Sequence, residues 1–129
     1  MKETIILAAS IISLNANAEV VITKAISSPP ACNAHHECNV YSNHEIEIKN
    51  TDSIPHNYQY NYQLCIKING QNYCDHIGNT VTVYPDQQWN NARLSAFHSQ
   101  LPKGKYEYIA QTEVLGKSND VKNYYLYVN

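Results

Sequence analysis

The sequence predicts an all-β protein, an antiparallel β-sandwich of about seven to eight strands. Three observations predict this fold class. Apolar and polar residues alternate with a period of two in several segments, whereas helical periodicity is hard to find after residue 19. Glycine, proline, asparagine and aspartate separate those segments at short intervals, as in antiparallel sheets. The length of 129 residues suits a single domain.

The clearest predicted strand is Tyr58–Ile68, where tyrosine, leucine and isoleucine take every even position. Polar residues and Cys65 take the odd positions, so one face of this strand would be buried. The other predicted strands are Glu19–Ile26, His44–Lys49, Gln71–His76, Thr80–Tyr84, Ala92–His98, Lys105–Val114 and Val121–Val128. Turns are predicted at Asn69-Gly70, Gly78-Asn79, Pro85-Asp86, and at residues 102–104 and 116–120.

Residues 1–18 have the features of a secretory signal peptide. The apolar run Ile5–Leu14 is too short to span a bilayer, and Ala16-Asn17-Ala18 supplies the small residues of a cleavage site. A single domain over residues 19–129 is therefore expected in an exported protein, periplasmic or secreted. The composition favours a gram-negative bacterial source, and the mature chain is expected to have no membrane span.

The even number of cysteines in an exported chain predicts disulfides, and four cysteines allow three pairings. A two-residue turn at Asn69-Gly70 places Cys65 opposite Cys74, at a position that favours a bond between them. Cys32–Cys38 then follows by elimination. This second bond is expected to pin a long loop over residues 27–43.

The segment Leu101-Pro102-Lys103-Gly104-Lys105-Tyr106 and the number of strands give the chain a fold-level resemblance to immunoglobulin-like and fibronectin type III-like sandwiches. In those folds a tyrosine after such a turn hydrogen-bonds back to the turn, forming a tyrosine corner. The resemblance implies this role for Tyr106. It implies no function, because these sandwiches host many unrelated activities.

Several function classes have little support in the sequence. The net charge of −2 lacks the basic excess of a nucleic-acid binder, so no nucleic-acid partner is expected. The chain contains no nucleophile elbow, zinc-protease motif or phosphate-binding glycine loop. A non-catalytic protein is therefore predicted.

One motif allows an alternative function, the binding of Zn²⁺ or Cu²⁺. His35, His36 and Glu37 lie between Cys32 and Cys38, and His44 follows shortly afterwards. Imidazole and carboxylate groups are suitable ligands for both metals. The spacing matches no common zinc pattern, and oxidised cysteines would not ligate. Solvated loop histidines, with no cofactor, are the simpler interpretation.

The eleven tyrosines suggest a binding surface as well as a core. We expect the core to use Tyr58, Tyr60, Tyr62, Tyr106, Tyr108, Tyr125 and Tyr127. The candidates for an exposed binding surface are Tyr41, Tyr84, Tyr124, Trp89, Asn90 and Asn91, because aromatic rings and amides together suit recognition. Contacts are expected on loop residues 31–44 and Asp86–Asn91. The sequence thus favours a binding protein with a protein or glycan partner.

Overall fold

The computed structural model describes residues 19–129, so the predicted signal peptide lies outside the described residues. Eight strands make up the fold: β1 (Val20–Ser27), β2 (Ala31–Cys32), β3 (Glu37–Lys49), β4 (His56–Ile68), β5 (Gln71–Val83), β6 (Gln88–Gln100), β7 (Gly104–Val114) and β8 (Ser118–Val128). No helix occurs over this range, and hence none long and apolar enough to cross a membrane.

The strands form two antiparallel sheets, so the predicted fold class is confirmed. In the first sheet, β3 pairs with β6 along one edge and with β1 and β2 along the other. The second sheet has the order β5-β4-β7-β8. Both predicted disulfides, Cys32–Cys38 and Cys65–Cys74, are present, and each joins directly opposite residues on paired strands.

The β4–β5 hairpin has the register expected from its turn. Asn69 and Gly70 both have positive φ values, 52° and 81°, as a two-residue type I′ turn requires. Cys65 therefore faces Cys74, with Cα atoms 4.1 Å apart. The Tyr106 hydroxyl also donates a hydrogen bond of 2.6 Å to the Pro102 carbonyl, as the tyrosine corner required.

Two boundary predictions were wrong. Residues 71–83 form one strand, because Gly78 lies within β5 rather than in a turn. A Cβ atom on Gly78 would lie 2.5 Å from the Asn61 side-chain oxygen, so the Asn61 side chain occupies the space that the glycine leaves open. The loop over residues 27–43 is also much shorter than predicted, since β2 and the first half of β3 occupy it.

The phase of β8 differs from the prediction. Leu126 and Val128 are buried, so Tyr125 and Tyr127 point outward and are exposed. Tyr124, expected at the surface, faces inward and stacks on Tyr108 with ring centroids 5.2 Å apart. Both phases of this strand place tyrosine and apolar residues on a single face, so alternation alone did not distinguish them.

The core consists of two separate apolar clusters. The first cluster is Ala25, Cys38, Val40, Leu64, Ile66, Leu101, Tyr108, Ala110, Leu126 and Val128. The second cluster is Ile46, Ile48, Tyr58, Tyr60, Tyr62, Val83 and Val114. Both clusters draw on β3, β4 and β7, so each of these strands passes from one cluster to the other.

Candidate functional site

A layer of buried polar side chains separates the two clusters. It consists of Ser42, His44, Ser95 and Thr112, none of which is exposed. On β3, Ser42 and His44 follow Val40 of the first cluster and precede Ile46 of the second. Thr112 lies between Ala110 and Val114 on β7 in the same way. We call these four side chains the polar layer.

His44 is fully hydrogen-bonded in its neutral form. The Thr112 hydroxyl donates to the Lys24 carbonyl at 2.7 Å, so it accepts from His44 Nδ1 at 2.9 Å. His44 Nε2 is then left to accept a hydrogen bond from the Ser42 hydroxyl at 2.8 Å. Burial is the main cause that lowers the pKa of His44, and the charge of the Arg93 guanidinium lowers it further. The Gln111 backbone and the charge of Asp75 act in the opposite direction and raise it in part.

Beside the polar layer lies an open seam between β5 and β6, which do not pair with each other. The inner faces of these strands and of β4 line a cavity of about 190 Å³ that is open to solvent. Its lining side chains are Tyr60, Tyr62, Ile77, Asn79, Asn91, Ala92 and Arg93. We call this cavity the seam cavity.

Three buried polar atoms in this region have no hydrogen-bond partner within residues 19–129: the Tyr62 hydroxyl, Arg93 Nε and Ser95 Oγ. Burial is the main cause that raises the pKa of Tyr62 to about 12. The nearby Asn91 side chain lowers it in part but makes no hydrogen bond of normal geometry. Buried polar atoms are rarely left unpaired, so these three atoms call for an explanation.

An ion pair closes one end of the seam. Arg93 Nη2 lies 2.9 Å from Asp75 Oδ1, and the other carboxylate oxygen of Asp75 accepts a hydrogen bond from the Ala96 amide. Asp75 thus joins β5 to the unpaired edge of β6. The charge of Arg93 is balanced within the site.

The aromatic and amide residues that the sequence singled out do not share one surface. Trp89 is half-buried against the second cluster and lies 5.2 Å from the Tyr60 ring. Asn90 and Asn91 belong to β6 rather than to a loop; Asn90 is exposed, and Asn91 faces the seam cavity.

Tyr84 is exposed at the β5–β6 turn. Tyr41 lies on the outer face of β3, with its ring edge against His98 at 5.4 Å. Trp89 pairs with Ile48 and Ser99 pairs with Cys38, so Trp89 and the Cys32–Cys38 turn are about 33 Å apart along β6.

The residues considered as metal ligands are also spread out. His35, His36 and Glu37 belong to a tight turn, where Asn33 Oδ1 accepts from the amides of His35 and Glu37. His44 lies about 20 Å along β3 from Cys38, with both ring nitrogens hydrogen-bonded. Within the described part of the chain, no group of three His, Cys, Asp or Glu side chains could hold a metal ion.

The outer face of the first sheet is a second candidate site. Val20, Ile22, Ile26 and Leu94 are 42–57% exposed there. Beside Ile22 runs a groove of about 370 Å³ that includes Lys24, Glu45, Glu47 and Asn90. The sequence analysis missed this face, because the apolar residues of β1 and β6 lie together only through their separate pairing with β3.

Comparison with known proteins assigns no family: no family model matches the chain, and no curated protein matches it. A Northeast Structural Genomics Consortium target is similar with a TM-score of 0.40 and 13% identity, covering 87% of this chain and 88% of the target. An Archaeoglobus fulgidus protein has a TM-score of 0.41 and 12% identity, over 84% and 96% of the two chains. A Bordetella pertussis protein assigned provisionally as ApaA has a TM-score of 0.36 and 11% identity, covering 84% of this chain and 92% of that protein.

Proposed function

We propose that this chain is an exported, non-catalytic, immunoglobulin-like β-sandwich that acts by binding a protein partner. The two disulfides support export, because such bonds persist in oxidising compartments. The hydrogen bond between Tyr106 and Pro102 supports the immunoglobulin-like assignment. The binding surface is the outer face of the first sheet.

The observation that carries this proposal is the exposure of Val20, Ile22, Ile26 and Leu94 on one face of the first sheet, beside the groove that Ile22 lines. Soluble domains rarely leave several large aliphatic side chains together on one face, and such patches mark interaction sites. A partner that covered them would gain about 25 cal/mol for each Å² of apolar surface removed from water.

The charges at the centre of the groove indicate the chemistry of the partner. Glu45 and Glu47 lie on the central strand, and neither forms an ion pair with a described residue. Lys24 lies directly opposite Glu45 on β1, so the centre of the face carries two glutamates and one lysine, whereas Lys49 lies on the same face at its edge, opposite Val20. The complementary surface is apolar at its rim with basic side chains at its centre, which would set orientation and association rate.

Two variants and a matched control test the proposal. Ile22→Asp and Leu94→Asp place a carboxylate within the apolar rim, whereas Val121→Asp makes the same kind of change on the outer face of the second sheet. Each protein is immobilised and used to capture partners from bacterial and host surface extracts. We expect a saturable partner that Val121→Asp retains and both rim variants lose.

Glu45→Gln combined with Glu47→Gln should slow association with that partner and reduce its dependence on salt. The proposal fails if no saturable partner is found, or if the rim variants capture it as well as the control does.

A further inference from the structure

The seam cavity has the size of a site for one small molecule, and it is open to solvent along the seam, where Ile77 and Asn79 are exposed. Its volume of about 190 Å³ is equivalent to roughly six water molecules. Pockets for drug-sized ligands begin at about 300 Å³, so this cavity suits a single small unit. It opens on the inner faces of β4, β5 and β6, whereas the groove proposed above for a protein partner lies on the outer face of the first sheet; the two share Asn91 and Ala92 on β6.

Unpaired polar groups at the cavity point to a polar occupant. Tyr62 is 1% exposed, yet its hydroxyl has no partner among the described residues, and Arg93 Nε is buried and unpaired as well. Leaving a buried donor or acceptor unsatisfied costs free energy in the folded state. A ligand with hydroxyl or carbonyl groups would recover this free energy at both atoms.

The balance of charge indicates a neutral occupant. The guanidinium of Arg93 is already paired with Asp75 at 2.9 Å, and the other polar side chains of the cavity, Asn79 and Asn91, are uncharged. An anionic ligand would have to displace Asp75, which also holds the Ala96 amide. A cation would meet Arg93, and no lining side chain could neutralise it.

The remaining walls are apolar and flat. The Tyr60 ring is fixed between Tyr62 and Trp89, with centroid distances of 5.4 and 5.2 Å, and Ile77 lies beside Tyr62 on the paired strand β5. An aromatic face offers rigid apolar contact at low entropic cost. A sugar ring has an apolar face of C–H groups and a rim of hydroxyl groups, which matches this combination.

We infer that the seam cavity binds one residue of a neutral sugar. The Tyr62 hydroxyl, Arg93 Nε and the amides of Asn79 and Asn91 contact its hydroxyl groups, and Tyr60 and Ile77 contact its ring face. The occupant enters at the open edge between β5 and β6, where the two strands do not pair.

The test is an NMR titration of the purified protein with the methyl glycosides of glucose, galactose and mannose and with N-acetylglucosamine. We expect at least one sugar to shift the side-chain amides of Asn79 and Asn91 and the Arg93 Nε–H saturably. Tyr62→Phe should weaken this binding tenfold or more. It should leave the melting temperature unchanged or raise it, since it removes an unsatisfied hydroxyl.

Tyr127→Phe is the matched control, because it removes a hydroxyl from an exposed ring on the outer face of the second sheet. This variant should bind the sugar as the wild-type protein does, and so should Leu94→Asp. The inference is overturned if none of the four sugars gives a saturable shift at these groups, or if Tyr62→Phe binds with unchanged affinity. The cavity would then hold only water, whatever the result for the protein partner.

Discussion

At the scale of single residues, His44 shows how a titratable group is accommodated inside the core. Its two ring nitrogens are hydrogen-bonded to Thr112 and Ser42 in the neutral form. The adjacent Tyr62 ring lies 5.4 Å away, so little space remains around the imidazole. A proton added to His44 would therefore charge a group that is cut off from water.

We predict that acid destabilises the protein through His44. Its pKa in the folded state is lower than the ordinary value of 6.5, mainly because of burial. The unfolded chain thus binds the proton first as the pH falls, so the unfolding free energy is highest above pH 6.5 and decreases below it, towards the pKa of the folded state. Urea denaturation at several pH values on both sides of 6.5 measures this decrease.

His44→Gln should flatten the pH dependence, whatever its effect on stability at neutral pH. His76→Gln is the matched control, because it makes the same substitution at an exposed position of β5. If the unfolding free energy changes with pH equally in His44→Gln and in the wild-type protein, His44 is not the cause of the acid destabilisation.

At the scale of the strands, backbone amide and carbonyl groups on the side of β1 away from β3 form hydrogen bonds with side chains instead of with a neighbouring strand. Asp120 Oδ2 accepts a hydrogen bond from the Ala25 amide at 2.8 Å, and Lys122 Nζ donates to the Ala25 carbonyl at 2.8 Å. The Tyr124 hydroxyl accepts from the Ser27 amide. Alternate residues of β8 thereby cover an edge that would otherwise be open to pairing with other chains.

We predict that Asp120→Ala loosens β1. The buried Ala25 amide would lose its acceptor, at a cost of about 1–3 kcal/mol. Hydrogen exchange at Ala25 should accelerate. Asp120→Asn, which keeps an acceptor oxygen, should have a smaller effect, and Asn123→Ala, at an exposed position of the same strand, should have none. Unchanged exchange in Asp120→Ala would show that the carboxylate is dispensable.

The elements that the sequence predicts well are those determined by neighbours along the chain. The β4–β5 hairpin follows from Asn69-Gly70, and its register then determines the Cys65–Cys74 bond. Gly78 misled the prediction, because glycine is common in turns but here lies within a strand. Tyr124 and Tyr125 gave no signal for the phase of β8, since either ring can be buried.

The candidate sites were harder to predict because they depend on contacts between distant segments. Tyr62 was correctly expected in the core, but its unpaired hydroxyl becomes visible only when β6 is placed against β4. The outer face of the first sheet likewise combines β1 and β6, which are far apart in sequence and meet through β3. Alternation identifies which face of a strand is buried and does not identify its neighbours.

At the scale of the whole molecule, the two disulfides both lie at the first cluster. Cys38 belongs to that cluster and Cys32 packs against it, while Cys65 lies between its members Leu64 and Ile66 on β4. The second cluster, which is rich in tyrosine, contains no cysteine. Covalent stabilisation is therefore concentrated in one half of the sandwich.

We predict that both bonds contribute, and that Cys32–Cys38 contributes more. Their sequence separations of 6 and 9 residues correspond to about 2–3 kcal/mol each from chain entropy. Cys38 and Cys65 are both buried, so each double replacement by alanine also removes packing, but their partners differ: Cys32 is half-buried and packs against the first cluster, whereas Cys74 is exposed. Urea denaturation of the two double-alanine variants measures the difference, and a larger loss for Cys65 and Cys74 would contradict this ranking.

The polar layer has a consequence for how this sequence can change over time. Because the layer divides the core, a substitution such as Ile48→Val in one cluster and Ile66→Val in the other should act additively, as expected for sites without shared neighbours. Each half can therefore accumulate apolar replacements on its own. The layer itself has much less freedom, since His44 is hydrogen-bonded to both Ser42 and Thr112, and the loss of either hydroxyl leaves one of its ring nitrogens unpaired. We expect relatives of this protein to vary independently in the two apolar clusters and to keep the polar layer unchanged.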